Sequence, residues 1–120
     1  MLKVAVLLIP LVLGHYGKPP CKADEVELTI GGQGYLKGTV CAPSCKNGNS
    51  SSCPTDSPKK TTPDAPEFVC RKDWGTEACV ILCDDTGPAC PDDMMCSVRD
   101  GRGFMPEGPC IYDSQELLTV

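Results

Sequence analysis

Sulfur is the chemistry this 120-residue chain carries most of. Its ten cysteines are Cys21, Cys41, Cys45, Cys53, Cys70, Cys79, Cys83, Cys90, Cys96 and Cys110. As thiolates they could hold zinc or attack a substrate; as pairs they crosslink the chain. Zinc sites set ligands two to four residues apart in pairs of pairs, often with histidine. Cys41-x3-Cys45 and Cys79-x3-Cys83 approach that spacing, but the single histidine, His15, precedes every cysteine. An even number of cysteines at this density in a short chain with a secretory start reads as a disulfide framework. Cysteines four residues apart are expected to bond to different partners. Which pairs form cannot be derived from spacing.

Carboxylates are the second resource. Asp84-Asp85 and Asp92-Asp93 flank Thr86-Gly87-Pro88. A retaining glycosidase needs two carboxyls about 5–5.5 Å apart in a cleft, which a small loop-rich domain seldom builds. The four aspartates read as solvated loop residues. The alternative is a calcium site made by Asp84, Asp85, Asp92 and Asp93, its loop ends held by Cys83, Cys90 and Cys96; calcium takes six to eight oxygens, and no EF-hand spacing is present. With His15 alone, no Cys/His or Ser/His/Asp arrangement can be assembled. The expectation is a protein that is not an enzyme and needs no cofactor. Candidate contact residues are Trp74, on an expected turn, and Arg99, Arg102 and Phe104 on a Gly-rich loop. Trp74 also reads as a cover for a disulfide. Asn49-Ser50-Ser51 fits the N-glycosylation pattern.

The elements that must position these residues follow from periodicity. Lys3 precedes an apolar run, Val4 to Leu13, of signal-peptide length and too short for the roughly 20 residues of a membrane span. Residues 1–14 read as a signal peptide cleaved after Gly14. The 106 residues left would hold ten basic and sixteen acidic side chains, a net charge of −6. That balance argues against nucleic acid and anionic membranes as partners. A membrane contact requires residues 1–16 to stay attached.

Residues 15–53 form an N-terminal hairpin, over 24–40, and a first cysteine module. Val26, Leu28 and Ile30 alternate with polar residues around a Gly31-Gly32-Gln33-Gly34 turn. Residues 54–69 are a Pro/Ser/Thr-rich connector that overlaps an extended solvated loop over 46–66. Residues 70–113 form the second cysteine module, with Ala78 to Cys83 as the central strand and a final hairpin pairing 94–99 with 110–113. Residues 114–120 are a tail. Cys41-x3-Cys45-x7-Cys53-Pro54 and Cys79-x3-Cys83-x6-Cys90-Pro91 make an internal repeat. The fold class is a small disulfide-rich, mainly β protein of two stapled sub-modules.

Cys79-x3-Cys83-x6-Cys90-Pro91-x4-Cys96 resembles part of the whey-acidic-protein (four-disulfide core) pattern, but the adjacent Cys-Cys pair of that family is missing, since Ser97 follows Cys96. No inhibitory-loop residue carries over. Cys41-Ala-Pro-Ser-Cys45, Cys53-Pro54, Cys90-Pro91-x4-Cys96 and Gly108-Pro109-Cys110-Ile-Tyr112 resemble the cysteine rhythm of small secreted proteins of algae and other protists. That resemblance implies little about activity. The function expected is non-catalytic binding or structural association with a protein or glycan, in the extracellular space or an organelle lumen. A protease inhibitor, using Arg99 to Arg102, and an accessory lumenal subunit of a membrane complex are the alternatives.

Overall fold

Alternation makes the first hairpin. Leu28 and Ile30 are buried and Val26 half-buried on β1 (Glu25–Gly32), while Glu27 and Thr29 stay exposed. β2 (Tyr35–Pro43) returns antiparallel, its register running from Gly32↔Tyr35 to Glu25↔Pro43. Gly32 and Gly34 take φ of 72° and 91°. Glycine enters that left-handed region without a Cβ clash, which fixes the turn at the Gly-rich run. The computed structural model describes residues 14–32, 34–61, 65–84, 90–98 and 106–114. Residues 1–13 of the expected signal peptide (1–14) and residues 115–120 of the expected tail (114–120) lie outside it.

Among the described residues four more strands complete a mainly β fold: β3 (Glu67–Arg71), β4 (Ala78–Asp84), β5 (Met95–Cys96) and β6 (Glu107–Asp113). The antiparallel order is β1-β2-β6-β4-β3, with β5 also on β6. The central strand is therefore β6, not the Ala78–Cys83 run expected there. Gly108 and Pro109 made the start of β6 read as loop. Proline lacks an N–H but keeps its carbonyl, and the Pro109 carbonyl accepts from Ser97 N at 3.1 Å. β6 serves its three neighbours in turn, pairing with β4 over 107–109, β5 over 110–111 and β2 over 112–113.

All ten cysteines are bonded. Cys21–Cys41 closes the first segment, and Cys83–Cys96 and Cys90–Cys110 close the second. Cys45–Cys70 and Cys53–Cys79 join the two segments to each other. Both Cys-x3-Cys pairs split between different partners, as expected. Cys70 and Cys79 are direct cross-strand neighbours on β3 and β4. The two joining bridges therefore land side by side and draw Cys45 and Cys53 onto that ladder. The core around them is Leu28, Ile30, Val40, Val80, Ile81, Ile111 and Tyr112, with the cystine sulfurs as filler. Five bridges and no free thiol are the mark of an oxidising extracellular or lumenal environment. Among the described residues no helix is long and apolar enough to cross a membrane.

The segment before the first cysteine is built into this core. Tyr16 is fully buried and sits at φ 66°, which bulky residues rarely adopt. Its surroundings fix it there. Tyr16 N donates to Glu25 Oε2, Tyr16 Oη donates to the Pro54 carbonyl, and the Tyr16 carbonyl accepts from Tyr112 Oη. Its ring lies 5.4 Å from that of Phe68. The connector expected to be extended and solvated is thus tied down at Pro54, and again where Thr61 donates from N and Oγ1 to Asp92 Oδ1. Its exposed side chains did not reveal these contacts, because the groups that hold it are mostly backbone.

Candidate functional site: an aromatic cleft

The turn after β3 brings Trp74 against the start of β2. Asp73 and Trp74 occupy that turn, and Gly75 takes φ 106° beside them. The Trp74 and Tyr35 rings meet edge-to-face with centroids 6.5 Å apart, at an interplanar angle of 83°. The Arg71 guanidinium stands 5.6 Å from the Trp74 ring centre. It donates from Nε to Asp73 Oδ2 at 2.6 Å and from Nη1 to Glu107 Oε1 at 3.0 Å. These bonds, with that to Asp73 strongest, hold the guanidinium above its ordinary pKa despite partial burial. Together with Thr29, Ile30, Gly31 and Pro106, these residues line a cleft of roughly 490 Å³.

The chemistry of the cleft is set by its lining. It offers two aromatic rings, a cation over one of them and two carboxylates held by that cation. No nucleophile is paired with a base among its described lining residues. The Trp74 Nε1 proton is shielded and has no hydrogen-bond partner among the described residues, a cost of about 1–3 kcal/mol that a native fold seldom leaves without a reason.

Of the site residues read from sequence, Trp74 is the one the structure places in this cleft. Arg99, Arg102, Phe104 and Asp85 lie outside the described residues. Tyr35, Arg71 and Glu107 were missed. Tyr35 read only as the start of a strand, and Arg71 and Glu107 meet across 36 residues of sequence. Of the calcium candidates among the described residues, Asp84 ends β4, Asp93 is exposed, and Asp92 accepts from Thr61. The hydrogen bonds from Thr61 hold the Asp92 carboxyl below its usual range. Among the described residues, the sulfurs of Cys83, Cys90 and Cys110 form a cluster of metal-type atoms. All three are in disulfides, and a cystine sulfur is not the thiolate that binds metal. Asn49 is exposed, and its Oδ1 accepts from Ser51 N at 3.2 Å and Ser51 Oγ at 2.5 Å.

A second group of charges surrounds His15. Its Nδ1 donates to Asp56 Oδ1 and its Nε2 to Asp24 Oδ2, each at 2.7 Å. Two carboxylates on two ring nitrogens require both to carry protons, the imidazolium form. Partial burial pulls the His15 pKa down, but the hydrogen bonds and charges of Asp24 and Asp56 outweigh it and leave it raised. The bond from His15 holds each of those carboxyls below its ordinary value. Compared with known protein families, curated proteins and solved structures, the chain matches none.

Proposed function

We propose that this protein is a non-catalytic, secreted binding module that takes a protein or glycan partner at the Tyr35–Trp74 cleft. The observation that carries the reading is the pair of aromatic rings lining a cleft beside an ion-paired arginine. Tryptophan, tyrosine and arginine are the residues that most often anchor interfaces. Their large faces bind at small entropic cost because few torsions must be fixed. Here the backbone beneath them is already rigid: Arg71 ends β3, Tyr35 begins β2 and Glu107 begins β6. In this reading the chain enters the secretory route through residues 1–14, is cleaved after Gly14, and carries an N-linked glycan on exposed Asn49.

Secreted protein offered to a glycan array and to purified extracellular proteins tests the cleft. A partner of the wild type should bind Trp74→Ala at least about 30-fold more weakly, the scale of a hot-spot residue. Asp93→Asn, an exposed change outside the cleft, should bind as wild type. A partner that binds Trp74→Ala and Tyr35→Ala as tightly as wild type would rule out the cleft. A mass unchanged by peptide-N-glycosidase would rule out the glycan on Asn49.

A further inference from the structure

We propose that the amino terminus released by cleavage after Gly14 is a binding site for a divalent transition-metal ion of the Cu(II) type, formed by the α-amine and Nδ1 of His15 with Asp56. The proposal rests on the processing step in the reading above and does not depend on the aromatic cleft. His15 turns two of its nitrogens to one aspartate. Its backbone nitrogen lies 2.8 Å from the Asp56 carbonyl oxygen, and its Nδ1 lies 2.7 Å from Asp56 Oδ1.

In the uncleaved chain that backbone nitrogen is an amide, a poor ligand that must lose a proton to bind metal. Hydrolysis of the Gly14–His15 bond turns it into a primary amine. The α-amine and Nδ1 of a terminal histidine close a six-membered ring on a metal ion. Asp56 then presents a carboxylate oxygen and a carbonyl oxygen to the same place, so nitrogen and oxygen donors gather on one side of His15. The ion takes the place of the protons that now bridge these groups. A nitrogen and oxygen set of this kind suits tetragonal Cu(II) or Ni(II), and copper binds most tightly in the divalent series.

Four further observations fit. Metal-bound histidines usually give their other ring proton to a carboxylate, which orients the ring; His15 Nε2 already does so to Asp24 at 2.7 Å. Gly14 packs on Asp56 so closely that a Cβ there would lie 2.6 Å from its carbonyl oxygen, so losing residues 1–14 uncovers that face. The next residue, Tyr16, is fully buried and hydrogen-bonded at N, O and Oη, which holds the new terminus in position. Asp56 and Asp24 are open to solvent, at 53% and 61% side-chain exposure, so an ion has access.

The test uses the full chain expressed in a secreting eukaryotic host. Its first residue is sequenced, then the protein is titrated with Cu²⁺ and examined by electron paramagnetic resonance. The expected result is His15 as first residue and one Cu²⁺ per chain, with hyperfine splitting from two nitrogens. Asp56→Asn should weaken binding at least about 10-fold and Asp24→Asn about 10-fold; Asp93→Asn should not. His15→Ala should abolish the two-nitrogen signal. Variants are compared only when all five disulfides are present by mass, and if His15→Ala fails to fold, the two aspartate variants decide. A chain beginning at His15 that binds no copper, or binds it equally well as Asp56→Asn, overturns the site and leaves the processing step standing. A different first residue overturns the processing step and the site with it.

Discussion

His15 shows how one side chain can tie three distant pieces of a small protein. Its ring bridges Asp24, before β1, and Asp56, in the connector, from a position beside the buried Tyr16. The pH dependence follows from the direction of each shift. The His15 pKa is raised above 6.5, so its contribution is complete below pH 6.5 and is lost as pH rises through the raised value. The Asp24 and Asp56 pKa values lie below 3.8, so their contribution is complete above pH 3.8 and is lost as pH falls through the lowered values. The bridge is therefore strongest between those limits. In the presence of a chelator, the unfolding-midpoint difference between wild type and His15→Ala should peak near pH 4–6 and shrink above neutrality. Taking the difference removes the titration of the α-amine, which both share. The aspartates are largely in solvent, so the effect should stay below about 1 kcal/mol. An equal difference at pH 5 and pH 9 would refute the bridge.

The strands divide into those that a local pattern makes visible and those that it does not. β1 alternates strictly and β4 is a continuous apolar run, so both could be read, because burial on one or two faces imprints a period on the residues themselves. β6 has no such imprint. It pairs with three partners over two or three residues each, so no single period runs along it, and its glycine and proline look like a turn. Gly38 marks the cost of this close assembly. It faces Asp113 across the β2–β6 ladder, and a Cβ there would strike the Tyr112 carbonyl and the Ile111 side chain. The backbone cannot move aside without breaking the ladder. Gly38→Ala should cost about 1–3 kcal/mol, as overpacking does, read from guanidinium unfolding. A variant as stable as wild type would mean that β2 and β6 are further apart than described.

At the scale of the whole molecule, crosslinks supply stability that a core with few aromatic side chains does not. A disulfide restricts the unfolded chain more when it closes a longer loop. Cys53–Cys79 spans 26 residues and Cys83–Cys96 spans 13; doubling the loop adds about 0.6 kcal/mol. Replacing both cysteines of Cys53–Cys79 with alanine should cost about 2–4 kcal/mol and exceed the loss at Cys83–Cys96 by about 0.6 kcal/mol. Denaturant unfolding of the two double variants measures this, and a larger loss at Cys83–Cys96 would contradict the chain-entropy account. Residue composition and order determined the crosslinked β class and its oxidising compartment, because cysteine number and strand periodicity are properties of the chain itself. The order of residues also made Trp74 a candidate contact residue and put His15 next to the expected cleavage site. Only the tertiary structure decided that two bridges join the halves, that Tyr35 and Arg71 stand beside Trp74, and that Asp24 and Asp56 close on His15. Those contacts join residues far apart in sequence, and a local pattern carries no information about which distant groups folding will bring together.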